Sequence, residues 1–390
     1  MNTRETNVMS ARLILTKLVM NAKVRKKLFV LFNSALKSFN LLLPASTKIL
    51  ITSGYGNPVQ ELKYNYENWK MTTGQMTEVV DLEDPSFSCN NAKDFPNPRA
   101  GSISGIIGNE LMICGGVPGT YDDFYAQQQA CYKMQNTDDP KWTDDKSVFL
   151  KTGRYWAAKG SVIFDDQLVV VGGYQQTDGD SADLSTIELV SPRTGSRTLK
   201  TKLPWGLQGS CMVPWDESTV MVIGGGGSKA YKIDGKWGRK ETYFIDIAKD
   251  ELKVGPSLLM DRFGHACHEI VVKGESYIMA VGGYGGEGDA ALTTTEVLSK
   301  SNFKNGWEEG AKISKDFHGF SNHQIVSSPN QDALYIIGNR EISSPDIIKI
   351  YCPDNIYNCK LTRIDTKLKI GHWGHVVIPI TSAWANKICN

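Results

Sequence analysis

Histidine is the residue type of this chain with the clearest capacity for chemistry. The six histidines fall in three close pairs: His265 and His268, His318 and His323, and His372 and His375. A metal site needs two to four such ligands that converge and leave one position open. His265 and His375, however, share a position that recurs along the chain as a small residue or histidine, where a structural hydrogen bond is the usual role. We therefore predict no metal site and no cofactor.

Other catalytic patterns are equally weak. Glu188 and Glu296 lie within β-rich runs and are interpreted as structural residues. The glycine run 224–227 lacks the Lys-Ser/Thr that completes a phosphate-binding loop, and no Ser/His/Asp order or Cys-x-x-Cys pair occurs. The sequence thus predicts a protein that is not an enzyme.

The elements that position these residues are short β-rich runs, each ended by glycine. Glycine closes the runs at Ser53-Gly54, Gly115-Gly116, Gly172-Gly173, Gly224-Gly225, Gly282-Gly283 and Gly338-Asn339. One such pair after a strand means little, but six with a period of roughly 50–60 residues indicate an internal repeat.

Further residues keep the same phase. A second β run follows most of the glycine pairs, Trp142 and Trp307 follow two of these runs, and an arginine precedes the next strand at Arg99, Arg154 and Arg262. The pattern resembles the kelch repeat, a four-stranded blade of a β-propeller, over about 48–381. The chain departs from it at Leu207, where arginine is expected, and at Asn339, which replaces the second glycine.

Closure sets the number of blades. The first glycine unit begins at Lys48 without a preceding strand, and 372–380 near the C-terminus supplies one. We predict an all-β, six-bladed kelch-type propeller over 48–381, in which Val376–Ile380 pairs with Ile49–Thr52 so that no sheet edge stays open. Residues 1–47 form a basic leader and 382–390 a C-terminal tail.

The resemblance also implies a binding face. In kelch propellers that hold peptides, one face is lined by the residues that follow Gly-Gly and the repeat arginine. Carried onto this chain, the candidate partner-binding residues are Tyr55, Val117, Tyr174, Tyr284, Arg340, Tyr155 and Phe263, with Gly226 and Ala100 at the remaining equivalent positions. Rigid aromatic side chains are common at interface hot spots, although the tyrosines could equally pack between loops. The predicted function is a non-catalytic protein-interaction module with a protein or peptide partner.

Two enzymes on similar propellers form the alternative. A secreted copper oxidase of this type uses His and Tyr ligands with a Tyr–Cys crosslink, and no such pairing can be picked out here. A sialic-acid-epimerase-like activity would need acid and base groups at one channel mouth. The 47 residues before the propeller are too few for an adaptor domain, so we do not expect the ligase-adaptor role of many kelch proteins.

Charge and hydropathy limit the partners. The 43 Lys+Arg residues against 42 Asp+Glu give a net charge of +1, which argues against a nucleic-acid binder. No apolar run is long enough for a stable membrane span, and we expect a monomer. The acid-poor leader is open to three interpretations: a secretory signal starting at Met20, an organelle transit peptide, or a poorly ordered or amphipathic tail.

Cysteine usage favours secretion over a cytoplasmic or organellar location. The number of cysteines, eight, is even. Cys352 and Cys359 bracket a turn signal at 353–355, so we predict a disulfide between them. Cys114 lies in an apolar run and is interpreted as a buried thiol.

Overall fold

The computed structural model describes residues 46–57, 76–118, 128–177, 180–227, 235–286, 290–341, 344–369 and 371–390. The predicted leader therefore lies outside the described residues, except for its last two. No helix in these ranges is long and apolar enough to cross a membrane.

Six antiparallel sheets form the blades of a propeller, as predicted, and the first strands of neighbouring blades meet around the centre. Blade I runs outward through Val376–Pro379, Lys48–Thr52 and Thr77–Asp81. Blade II consists of Ile103–Ile107, Glu110–Cys114, Ala130–Gln135 and Trp142–Phe149. Blade III consists of Ile163–Phe164, Gln167–Val171, Thr186–Ser191 and Gly195–Lys202.

Blades IV, V and VI also have four strands each. Blade IV consists of Cys211–Pro214, Thr219–Ile223, Thr242–Asp246 and Glu251–Val254. Blade V consists of Ala266–Val272, Glu275–Val281, Thr295–Ser299 and Glu308–Glu309. Blade VI consists of Gln324–Ser327, Ala333–Ile337, Asp346–Tyr351 and Lys360–Lys367. Short 3-10 helices span Phe303–Asn305 and Lys315–Phe317.

Four small two-stranded ladders stand beside the blades, and two of them include a strand from the segment that leads into a first strand. They pair Tyr55–Asn57 with Gly371–Trp373, Arg99–Ala100 with Val117–Pro118, Tyr174–Thr177 with Asp180–Asp183, and Tyr284–Gly285 with Ala290–Ala291.

Apolar residues on both faces of each sheet hold the blades together. Every residue of the run 168–171 in blade III is buried, as a sheet covered on both faces requires. The core is divided into clusters, most of which join side chains from two adjacent blades. Trp307 of blade V is buried, and its indole N–H donates to the Pro256 carbonyl beyond blade IV at 2.9 Å, so this tryptophan joins two adjacent blades.

The chain ends close the ring as predicted. Thr52 pairs with Val376 and Ile49 with Pro379, so the C-terminal strand becomes the innermost strand of blade I. The predicted tail forms a helix, α1 (Ser382–Cys389), capped by the Thr381 hydroxyl, which accepts from the Trp384 N–H at 3.2 Å. Closure thus involves a helix as well as a strand.

All eight cysteines are paired in disulfides. The predicted Cys352–Cys359 bond is present. The interpretation of Cys114 as a free thiol is wrong, because Cys114 and Cys131 stand opposite each other on neighbouring strands of blade II and form a disulfide. The other bonds are Cys211–Cys267, between the first strands of blades IV and V, and Cys89–Cys389, which ties α1 to the segment after blade I.

Candidate functional site

A closed ring of six backbone hydrogen bonds surrounds the central axis at one end of the propeller. Each blade contributes one residue, which lies just before its first strand and donates its N–H to the carbonyl of its counterpart in the neighbouring blade at 2.7–3.0 Å. All six residues have φ between 50° and 68°. This left-handed conformation suits glycine, which occupies four of the positions. We call this ring the collar: Gly101, Trp156, Gly209, Gly264, Asn322 and Gly374.

The Trp156 indole packs against two other residues of the collar. A Cβ atom added to Gly101 would stand 2.9 Å from the Trp156 ring, and one added to Gly374 would stand 2.7 Å from it. The indole therefore packs on two glycines from two other blades. Its plane is nearly parallel to that of Trp373, at 3° with ring centroids 6.2 Å apart.

A second ring of residue pairs surrounds the collar, and we call these pairs rungs. Each rung joins the residue before a collar residue to the residue after the blade's glycine pair. The six rungs, from blade I to blade VI, are Trp373–Tyr55, Ala100–Val117, Tyr155–Tyr174, Gln208–Gly226, Phe263–Tyr284 and Ser321–Arg340. The structure thus places all seven predicted binding residues in one ring on one face.

Three adjacent rungs, in blades V, VI and I, form a continuous surface that we call the arc: Phe263, Tyr284, Ser321, Arg340, Trp373 and Tyr55. The ring of Tyr55 stacks on Trp373 with centroids 4.1 Å apart, and Phe263 contacts Tyr284 at 5.3 Å. The Arg340 guanidinium joins the two pairs, because its Cζ lies 5.3 Å from the centroid of the Trp373 ring and 5.7 Å from that of Tyr284.

Glu341 is tied into the arc by hydrogen bonds. Its carboxylate accepts from the Tyr284 hydroxyl and, at 2.8 Å, from the Ser321 hydroxyl. Burial and the bond to Glu341 raise the pKa of Tyr284 to about 12. Tyr284 therefore stays a neutral donor at physiological pH, and its ring is held in place from below.

The rungs of blades II and IV are different. Ala100 and Val117 are small and apolar, and Gly226 has no side chain to offer a partner. Blade III has an aromatic rung, separated from the arc on both sides. Its Tyr155 is 9 % exposed and donates to the Gln176 side chain at 3.3 Å, and burial raises the pKa of this tyrosine above its usual range.

Buried arginines form a layer under the rungs, as the repeat pattern predicts. Arg99, Arg154 and Arg262 donate to the carbonyls of Gly115, Gly172 and Gly282 at 2.7–2.8 Å. Two of them also pair with buried glutamates: Arg154 with Glu188, and Arg262 with Glu296 at 2.9 Å. Both glutamates accept backbone N–H groups as well, which agrees with their structural interpretation.

The repeat survives where arginine is missing. In blades IV and VI, Leu207 and Phe320 occupy the arginine position. Their carbonyls still accept from the second glycine of the preceding blade, Gly173 and Gly283, at 2.7 and 2.6 Å. The backbone contact between blades is therefore independent of the side chain above it.

Three of the six histidines lie directly after collar residues. His265, His323 and His375 are fully or almost fully buried, whereas His318 is exposed, and nothing is described of the His372 side chain. His265 and His375 also pack closely against the glycine pairs of their blades. A Cβ atom on Gly283 or Gly54 would stand 2.7 or 2.6 Å from the Cβ of the histidine in the same blade.

Lys159 adds a buried amine to this region. Its Nζ donates to the collar carbonyl of Gly264 at 2.8 Å, and burial lowers its pKa to about 7. Burial lowers the pKa of His265 and His323 well below the usual value, and nearby positive charges lower it further. In the described ranges, no three His, Cys, Asp or Glu side chains are grouped so that they could hold a metal ion.

Two site residues escape the sequence pattern. Trp373 was not predicted because His372 replaces the arginine that marks this position in other blades. Trp156 follows the predicted Tyr155, but its place on the collar depends on ring closure, which no single repeat reveals. Four other blades have glycine at this position of the repeat. A tryptophan at a glycine position is the signal that could have identified Trp156.

Comparisons with known proteins support the fold alone. No protein family matches the sequence, and no curated protein is similar to it. The solved structure of YjhT is similar, with a TM-score of 0.54 and 18% sequence identity, covering 71% of this chain and 86% of that one.

Proposed function

We propose that the chain is a non-catalytic protein-interaction module of the kelch type whose partner binds the collar face, centred on the arc. One observation carries the proposal. The same rung position holds aromatic residues or arginine in blades V, VI and I, but small or polar residues in blades II and IV. Because blades II and IV close without aromatic rungs, packing alone does not account for the arc.

The shape of the face supports a protein partner. Trp156 packs on Gly101 and Gly374 and lies nearly parallel to Trp373, which extends the aromatic surface of the arc toward the collar. Aromatic residues and arginine provide most hot spots in protein interfaces. The four disulfides support an oxidising compartment, and hence secretion, as the place where the module acts.

The copper-oxidase alternative has less support from these residues. Its Tyr–Cys crosslink needs a cysteine outside a disulfide, and all eight cysteines are bonded to one another. An epimerase needs acid and base groups at a channel mouth, and the twelve rung residues on the collar face include no Asp, Glu or His.

Selection of peptides tests the proposal. A library of random dodecapeptides displayed on phage is selected against the immobilised full chain. The affinity of the selected peptides is then measured for the wild type, for an arc variant (Tyr284→Ala with Trp373→Ala) and for a control variant (Tyr155→Ala with Tyr174→Ala). We expect the arc variant to lose at least 10-fold in affinity and the control less than 3-fold. Equal losses in both variants, or no loss in either, would contradict the proposal.

A further inference from the structure

A polar cleft lies between blades II and III at the end of the propeller opposite the collar. First and third strands run away from the collar, so the turns at 108–109, 136–141 and 192–194, which contribute to the cleft, all lie at this far end. The cleft has a volume of about 370 Å³, and small-molecule sites typically have roughly 300–1,000 Å³. Every turn at this end of the two blades belongs to the described residues.

The lining of the cleft is mostly polar. Two of its eight residues, Ile107 and Pro192, are apolar, and both are buried. A protein partner usually anchors an aromatic or aliphatic side chain in a dry pocket, and this cleft offers little surface for one. It suits a ligand that is polar over most of its own surface. The polar residues are Asn109, Glu110, Gln135, Asn136 and Thr137 of blade II and Arg193 of blade III.

Hydrogen bonds hold the blade II side of the cleft in place. Glu110 and Gln135 stand opposite each other on paired strands, and Gln135 Nε2 donates to Glu110 Oε1 at 2.9 Å. The Asn136 N–H donates to the Asn109 carbonyl at 3.0 Å, which joins the two turns. Asn136 Oδ1 is buried and has no hydrogen-bond partner among the described residues. A ligand that donates to this oxygen would remove the cost of a buried acceptor without a partner.

Arg193 supplies donors from the blade III side. A Cβ atom added to Gly108 would stand 3.4 Å from Arg193 Nη2, so the guanidinium lies beside the first turn of blade II. The backbone of Arg193 is fixed by its N–H, which donates to the Ser191 hydroxyl at 3.2 Å. Its side chain is 68% exposed and stands 4.0 Å from the Asp166 carboxylate, so its donors are open to a ligand.

The charges and shapes of these groups favour a neutral polyhydroxyl ligand. Glu110 and Arg193 carry opposite charges, and Asp166 lies near the guanidinium, so the cleft favours neither an anion nor a cation. Carboxylate, carboxamide and guanidinium groups are planar and hold two hydrogen-bonding atoms side by side. Hydroxyls on neighbouring carbons of a sugar ring match such a pair of atoms, and each hydroxyl both donates and accepts.

We propose that this cleft is a carbohydrate-binding site, which takes a neutral sugar unit of a glycan through Glu110 and Asn136 of blade II and Arg193 of blade III. The site lies at the opposite end of the propeller from the arc. The inference therefore goes beyond the proposed function and does not depend on it.

A glycan array followed by titration tests the inference. The labelled full chain is applied to an array of neutral oligosaccharides that end in glucose, galactose, mannose, fucose or an N-acetylhexosamine, and the affinity for a bound glycan is measured by calorimetry. We expect at least one of these glycans to bind. Glu110→Ala and Arg193→Ala should each weaken it by about 10-fold or more, as the loss of a hydrogen bond to a charged group does.

Two matched controls come from the same strand types. Glu275→Ala removes the glutamate that begins the second strand of blade V, as Glu110 begins that of blade II. Arg197→Ala removes another exposed arginine of blade III. Both controls should bind the glycan within about 3-fold of the wild type, since neither residue lines the cleft. Because Arg193 is exposed, its replacement tests binding without disturbing the core.

Several results would overturn the assignment. An array on which no neutral oligosaccharide binds above background would contradict it, and so would a glycan that binds Arg193→Ala as well as the wild type. A glycan that is lost in the arc variant and kept in Glu110→Ala would place the sugar on the collar face. Selected dodecapeptides that lose affinity in Arg193→Ala would show that the cleft takes a peptide instead.

Discussion

The arc and the rungs of blades II and IV share a backbone and differ in their side chains, while blade III, between II and IV, has a separate aromatic rung. In blades V, VI and I the rungs are aromatic or carry arginine, and they touch one another through Arg340. In blades II and IV the same backbone carries Ala100, Val117 and Gly226. The propeller thus requires the rung but not the side chain on it, which makes the arc the part of this face free to serve a partner.

The buried arginines below the rungs depend on their side-chain partners, unlike the rungs. Arg154 and Arg262 are buried with their glutamates, so each charge depends on the other. In blade IV the apolar Leu207 occupies the arginine position. The position that holds Glu188 in blade III and Glu296 in blade V therefore needs no acid in blade IV. The buried ion pairs and the rung side chains that we propose bind a partner are therefore separated by depth as well as by blade.

The largest expected effect comes from breaking a buried ion pair. Arg262→Met leaves the Glu296 carboxylate buried without its partner, and such losses cost about 3–5 kcal/mol of the free energy of unfolding. Arg340→Met, at the surface of the arc, should cost within about 0.5 kcal/mol. Urea denaturation measures both, and equal costs would contradict the separation by depth.

The second largest effect is expected from removing the disulfide that ties helix α1 to the propeller. Removing a native disulfide costs about 2–5 kcal/mol in small domains, and Cys89–Cys389 joins residues 300 positions apart. Cys389→Ser with Cys89→Ser should therefore lower the stability by about 2 kcal/mol or more, and leave binding at the arc unchanged. A melting temperature equal to that of the wild type would show that the strand Val376–Pro379 closes the ring unaided.

A pH effect is expected below the collar. Lys159 has a pKa of about 7 in the folded state and 10.5 in its ordinary environment, so the unfolded chain holds its proton to a higher pH. Stability should consequently rise from pH 7 towards 10, by up to about 1.4 kcal/mol per pH unit. Lys159→Met should be free of this rise. The lowered pKa values of His265 and His323 add a separate loss of stability as the pH falls below 6.5.

That prediction is checked by urea denaturation of both proteins at pH 6.5, 7.5 and 9. The free energy of unfolding of the wild type should rise relative to that of Lys159→Met as the pH increases. A difference between the two proteins that stays constant over this range would contradict a buried amine that loses its charge.

Replacing the tryptophan of the collar should have a small effect on stability. Trp156 has φ of 53°, which costs a non-glycine residue about 1–2 kcal/mol, and its stacking on neighbouring rings offsets that cost. The free energy of unfolding of Trp156→Gly should therefore stay within about 1 kcal/mol of the wild type. Selected peptides should bind several-fold more weakly, because the aromatic surface of Trp156 is lost from this face. A large loss of stability would instead identify the indole as a structural plug.

Much of the architecture is predictable from the sequence because it repeats. The glycine pairs, Arg99, Arg154 and Arg262 mark the blades, and the missing first strand predicts closure by 376–380. The Cys114–Cys131 bond is not predictable in this way, since it depends on strand register within one blade. Helix α1 is too short, at eight residues, to show a clear period.

The candidate site is predictable only position by position. The pattern gives the seven rung residues equal weight, because each repeat is read alone. Their grouping into an arc depends on blade VI lying next to blade I, and thus on Arg340 reaching both Tyr284 and Trp373. Because His372 stands where other blades have arginine, the pattern does not reveal Trp373, which belongs to the blade I end of the arc.

The most direct test of the central claim is to give blade V the rung of blade II. Phe263→Ala with Tyr284→Val reproduces the Ala100–Val117 rung on the same backbone. Urea denaturation should place this variant within about 1 kcal/mol of the wild type, while the selected peptides lose at least 10-fold in affinity. A variant destabilised by several kcal/mol, to the extent expected for core aromatics, would show that the arc is packing, and would contradict the claim that this surface is free to bind a partner.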